Sequence, residues 1–83
     1  MLTVSVVSPE RTLFQGEAES LVAPAFDGEV GILTSHAPML TLLGDGLLRV
    51  RSAGGEQRFT VSGGFLEVAD DRVRVVTERA ESV

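Results

Sequence analysis

The stretch Gly63 to Val75, GGFLEVADDRVRV, decides the type of fold, because it contains two extended segments joined by a tight turn. Arg72–Val75 alternates charged and apolar residues, which is the period of a strand with one buried face, and Phe65–Ala69 is an extended segment of strand length. Asp70-Asp71 lies between them, and Asp suits turns because its side chain hydrogen-bonds nearby backbone. The stretch therefore predicts strand, turn and strand.

The same pattern continues toward both termini. Leu2–Val7 and Leu48–Arg51 have apolar residues at every second position, and further extended segments are predicted at Ser20–Ala23, Val30–Leu33 and Arg58–Val61. Turn signals recur about every 8–12 residues, which is typical of an all-β sandwich or barrel. The length predicts one domain over residues 1–83. We predict that Arg72–Val75 is its last strand and that the tail Glu78–Val83 is too short to form a helix alone.

Composition excludes several classes of function. The chain has no cysteine and one histidine, which leaves little to ligate a metal and no thiol nucleophile, so we predict no metal site and no cofactor. A net charge of −5 with scattered arginines disfavours nucleic acid, since phosphate contacts need clustered basic residues. No apolar run approaches about 20 residues, and the N-terminus does not resemble a signal peptide, so we expect no direct membrane insertion.

His36 is the one candidate for a catalytic base. A working base needs an orienting partner and a nucleophile within reach, and adjacent Ser35 would point to the opposite face of an extended chain. No nucleophile elbow or oxyanion loop is present. We therefore predict no catalytic residue and interpret His36 as a structural or interface residue.

Glycines and carboxylates allow two interpretations each. Gly63-Gly64 leads into a strand and not into a helix, which favours a sharp bend over a phosphate-binding loop. Acidic pairs such as Asp27 with Glu29 could serve glycoside chemistry, but a domain of this size has little room for the opposed walls of a cleft. Solvated turn acids are the expected interpretation.

The run Ala37–Leu43, APMLTLL, is more informative because it places four large apolar residues within five positions. Strict alternation would expose about half of them as an apolar patch of the kind that marks protein–protein contact. Burial on both faces is the alternative, and the residues alone leave both open.

Taken together, the chain resembles the N-terminal β-sandwich domain of the epsilon subunit of bacterial F-type ATP synthases, called delta in mitochondria. GEVGIL followed by HAPML and SGGFLEV is a specific combination, and the order and spacing of the matching segments hold over nearly the full length. The matching residues are Val6–Ser8, Phe14–Gly16, Pro24, Gly28–Leu33, His36–Leu40, Leu43, Gly46 and Ser62–Val68.

The resemblance implies an antiparallel two-sheet sandwich of about ten short strands and a non-catalytic rotor subunit. It implies that the domain links the gamma subunit to the membrane c-ring, below the alpha/beta catalytic head, at the cytoplasmic face of the inner membrane. Glu29 would meet the c-ring, whereas Ser8, His36, Met39 and Leu42 would lie toward gamma.

Two departures from the family pattern and two rival functions remain. Thr34-Ser35 replaces a common Pro-Gly, and the family's C-terminal helical hairpin is absent, so neither its inhibitory role nor its nucleotide binding is expected.

The rivals are a generic β-sandwich adaptor for another protein and a small hydrolase that uses His36 with an acid.

Overall fold

The computed structural model describes residues 1–83 and contains ten β-strands in two five-stranded sheets. The first sheet has the order β2-β1-β9-β8-β5 and the second has β10-β7-β6-β3-β4. The strands are β1 (Leu2–Val7), β2 (Thr12–Ala18), β3 (Ser20–Ala25), β4 (Gly28–Leu33), β5 (Met39–Leu42), β6 (Gly46–Ser52), β7 (Gly55–Ser62), β8 (Phe65–Ala69), β9 (Arg72–Val76) and β10 (Arg79–Ser82). The all-β sandwich prediction is confirmed.

Alternate residues of both sheets form one core between them. Val4 and Val73 face inward from the first sheet, Leu48 and Phe59 face inward from the second, and all four are buried. Burying a side chain such as Phe59 stabilises the fold by about 1.5–3 kcal/mol, so each inward position contributes a sizeable share of the stability of a small domain. The period of two seen in the sequence is thus the period of burial.

One strand pair departs from the antiparallel prediction. β1 pairs with β9 in parallel, in a register that runs from Thr3 opposite Arg72 to Val7 opposite Val76. Parallel neighbours need a long connection, and here the connection is the segment 8–71, which contains β2 to β8. The N-terminal strand is therefore an interior strand of the first sheet, paired with a strand near the C-terminus.

Arg72–Val75 was predicted to be the last strand. This prediction was wrong, because β10 follows it. Arg79 pairs with Ser62 and Ser82 with Phe59, so β10 is an edge strand on β7. Buried Thr77 lies just before it and donates its hydroxyl proton to the carbonyl of Ser62 (3.2 Å) or Arg79 (3.0 Å).

The Gly63-Gly64 pair forms a sharp bend, as predicted. Both residues have positive φ, +70° and +100°, a region that favours glycine. A Cβ at Gly64 would collide with the backbone of Val76, while the Gly64 carbonyl accepts a hydrogen bond from Leu43 N–H at 3.0 Å. The bend therefore lets β9 approach and fixes the end of β5.

The chain forms no helix of the length and apolarity needed to span a bilayer.

Candidate functional site

β5 presents an exposed apolar strip at the edge of the first sheet. Leu40 and Leu42 are 70% and 64% exposed, whereas Met39 packs against the core. The sequence left open whether this run is buried on one face or on both. Every second residue of β5 points to solvent, so the strand is buried on one face only. Of the two β5 residues predicted to face a partner, Leu42 is available at the surface and Met39 is largely occupied by the core.

A groove of about 530 Å³ continues this strip across the outer face of β8 and β9. Leu42 lies opposite Phe65, and Leu40 opposite Glu67, in the β5–β8 register. We call this surface the apolar groove, and its lining residues are Leu40, Thr41, Leu42, Phe65, Glu67 and Arg74.

One cation and one anion lie at the rim of the apolar groove. The Arg74 guanidinium lies 5.5 Å from the centre of the Phe65 ring, a cation–π distance, and its Nε lies 3.5 Å from an oxygen of Glu67. Both charged side chains are about half exposed. The groove thus combines a hydrophobic floor with a charged rim, the usual composition of a protein–protein contact.

His36 ends the turn that connects β4 to β5. Its N–H donates to the carbonyl of Leu33 at 3.1 Å, and its ring Nδ1 donates to the carbonyl of Ala37 at 2.7 Å. The ring is half-buried and is oriented by backbone, with no carboxylate or hydroxyl among its hydrogen-bond partners. This geometry fits a fixed surface residue and lacks the orienting acid and nucleophile of a catalytic triad.

Glu29 is the second residue of edge strand β4, and its side chain is 64% exposed. A carboxylate oxygen lies 3.8 Å from a terminal nitrogen of Arg49 on β6, while Arg49 Nε is buried and has no hydrogen-bond partner. Phe26 lies in the turn between β3 and β4 and is 67% exposed. The sequence interpretation assigned neither Phe26 nor Arg49 to a site, and the spacing of 20 residues between Glu29 and Arg49 gave no signal for the pair.

The predicted interface residues do not form one cluster. Ser8 forms a turn with Arg11 directly after β1, and Leu42 accepts a hydrogen bond from Phe26 N–H (3.1 Å), so both lie at the end of the sandwich that contains Glu29. His36 lies beyond the other end of β4. These residues therefore extend along the whole sandwich.

Across the chain, no three His, Cys, Asp or Glu side chains are grouped so that they could hold a metal ion.

The comparisons with known proteins all point to chains of ATP synthases. A family model described as "ATP synthase, Delta/Epsilon chain, beta-sandwich domain" matches residues 1–83. An ATP synthase epsilon chain of Synechococcus sp. is 44% identical over 96% of this chain and 58% of the relative. One of Rhodopirellula baltica is 48% identical over 90% of this chain and 59% of the relative. The chain therefore spans less than two thirds of these curated relatives.

Two solved assemblies contain a similar chain. A cryo-EM structure of the Euglena gracilis mitochondrial ATP synthase, described as OSCP/F1/c-ring, matches with a TM-score of 0.89 and 25% identity, covering 98% of this chain and 52% of that one. A cryo-EM structure of the Tetrahymena thermophila enzyme, described as central stalk and c-ring, matches with a TM-score of 0.80 and 17% identity, covering 96% and 65%. The second likeness concerns the fold alone.

Proposed function

The chain belongs to the ATP synthase delta/epsilon beta-sandwich family, and from this premise we propose that it is a non-catalytic part of the central stalk of a proton-translocating F-type ATP synthase. In this role it links the gamma subunit to the c-ring, so that rotation of the ring reaches the catalytic head. The relatives are named as a chain of that complex, and the Euglena gracilis assembly contains a similar chain together with F1 and the c-ring.

The observation that supports the gamma contact most directly is the apolar groove. Leu40 and Leu42 leave large apolar surface in water on a rigid edge strand, and Phe65 extends it. Such surface is unfavourable on a free monomer and becomes favourable when a partner covers it. Fully desolvated central side chains dominate most interfaces, so Leu42 is the proposed anchor.

The c-ring contact would use Glu29, which lies just after the β3–β4 turn. Glu29 is exposed, and its carboxylate lies 3.8 Å from Arg49, which favours its presentation on that side of β4. An exposed ion pair contributes only about 0–1 kcal/mol. Glu29 is therefore proposed to set the register of the contact with the ring, while exposed Phe26 adds apolar area beside it.

Transmission of torque requires a scaffold that does not shear. The parallel β1–β9 pair ties the ends of the chain together, and the two sheets enclose a single buried core. Close-packed cores have low compressibility. The sandwich would then act as a stiff spacer in a complex peripheral to the cytoplasmic face of the inner membrane.

Capture from cell extract tests this proposal. The tagged 83-residue chain is expected to retain gamma together with alpha and beta subunits. A generic adaptor would retain another protein instead, and an isolated hydrolase would retain none of them. Failure to capture gamma under conditions in which an intact epsilon chain of the same family captures it would contradict the proposal.

A further inference from the structure

Ser35 is held in a conformation that its side chain disfavours. It is the third residue of the turn in which the Leu33 carbonyl accepts the His36 N–H, and its φ is +68°. Among these turn residues only Ser35 has positive φ, which is the pattern of a type II turn, where glycine is preferred at the third position and proline at the second. Such a residue persists when its surroundings restrain it.

Asp71 supplies a restraint. The N–H of Ser35 donates to Asp71 Oδ1 at 2.6 Å, and the backbone carbonyl of Asp71 accepts the N–H of Thr3 at 2.8 Å. A hydrogen bond to an ionised carboxylate is shorter and stronger than one between neutral groups. The β8–β9 turn is thus bonded to β1 through its backbone and to the β4–β5 connection through its side chain.

This bond joins the two sheets where the chain passes between them. β4 is an edge of the second sheet and β5 is an edge of the first, so the connection from Thr34 to Pro38 crosses from one to the other. His36 lies within this crossover and Leu40 lies just after it. The chain therefore reaches His36 and β5 through the turn at Ser35.

We propose that Asp71 is a positioning residue, which fixes the crossover turn and thereby the placement of His36 and β5 for docking. The docking part rests on the proposed function, whereas the fixing of the turn does not. Asp70 is a built-in comparison, since it has a similar positive φ (51° against 58° for Asp71) and its carboxylate makes no hydrogen bond to the crossover.

Amide hydrogen exchange in the 83-residue chain tests the fixing of the turn. Glycine accepts positive φ, so Asp71→Gly and its matched control Asp70→Gly both preserve the β8–β9 turn while removing one carboxylate. We expect the Ser35 amide to exchange at least about tenfold faster in Asp71→Gly than in Asp70→Gly, with Ile32 unchanged in both. Asp71→Asn, which retains an acceptor oxygen but not the charge, should exchange at a rate between those of the wild type and Asp71→Gly. Equal Ser35 rates in the two glycine variants would overturn the proposal.

Binding to purified gamma subunit tests the docking part. Asp71→Gly should weaken binding about tenfold relative to Asp70→Gly, chiefly through faster dissociation, and adding Thr34→Pro with Ser35→Gly should restore it by presetting the turn. Faster exchange at Ser35 with unchanged gamma binding would overturn the docking role. If the wild-type chain bound no gamma at all, the proposed function would fail while the exchange result still decided the positioning of the turn.

Discussion

Gly64 lies against the backbone of Val76 so closely that no side chain fits between them. The contact brings the start of β8 onto the end of β9, where Phe65 pairs with Val76. It also directs the Gly64 carbonyl toward Leu43 N–H. A single residue without a side chain therefore fixes three strand ends on the side of the sandwich that contains Leu42.

Replacing Gly64 by alanine should consequently destabilise the fold severely. The Cβ would displace the Val76 carbonyl and the residue would keep a φ of +100°. We expect a loss of at least about 3 kcal/mol in the free energy of unfolding, measured by urea titration. Gly54→Ala is the matched control, because its Cβ would meet no atom within 4 Å. Similar midpoints for the two variants would contradict the assigned contact.

Ser35→Gly is expected to act in the opposite direction. At a φ of +68°, a residue with a Cβ is strained by about 1–2 kcal/mol, and glycine removes this strain. Part of the gain is offset because glycine gives the unfolded chain more conformational freedom. The net gain should reach up to about 1 kcal/mol in thermal or urea unfolding. Ser82→Gly, in β10, should lower stability instead, because glycine weakens a strand. A destabilised Ser35→Gly variant would show that the turn does not strain Ser35.

Much of this architecture could be predicted from the sequence, for reasons that differ between segments. Arg72–Val75 alternates strictly, and Asp70-Asp71 forms the expected turn with φ of 51° and 58°. β10 has one partly buried apolar residue, Ala80, so no period of two could be recognised. The parallel β1–β9 pair and the Ser35–Asp71 bond depend on residues far apart in sequence. Local patterns do not encode such pairings.

The candidate site, too, could be predicted only in part from the sequence. APMLTLL is compatible with a strand buried on both faces or on one, and only the uncovered outer face of the first sheet decides between them. The roles of Ser8, His36, Met39, Leu42 and Glu29 stay predictions. Leu42 and Glu29 lie at the same end of the sandwich, so position along it does not separate the proposed gamma contact from the proposed ring contact.

Leu42→Asp should weaken binding to gamma at least about tenfold without unfolding the chain, because the side chain is exposed and lines the apolar groove. Leu33→Asp is the matched control, since Leu33 is equally exposed at 64% but lies on the second sheet. Met39→Asp would instead bury a carboxylate against the core and should lower stability. Affinity by titration calorimetry and folding by circular dichroism are the measurements. Equal gamma affinity for the Leu42 and Leu33 variants would remove the groove from the interface.

Glu29→Lys should impair coupling between proton flow and ATP synthesis more than assembly of the soluble head. The change reverses the charge presented at the β3–β4 turn and places two cations together, since Arg49 lies 3.8 Å from the carboxylate. The isolated domain should lose no more than about 1 kcal/mol, because the pair is exposed. Glu56→Lys is the control, as Glu56 also pairs with an arginine, Arg58, but begins β7 at the other end of the sandwich. Proton pumping driven by ATP in membrane vesicles measures coupling, and subunit content measures assembly. Coupling that survived Glu29→Lys but not Glu56→Lys would place the ring contact at the opposite end.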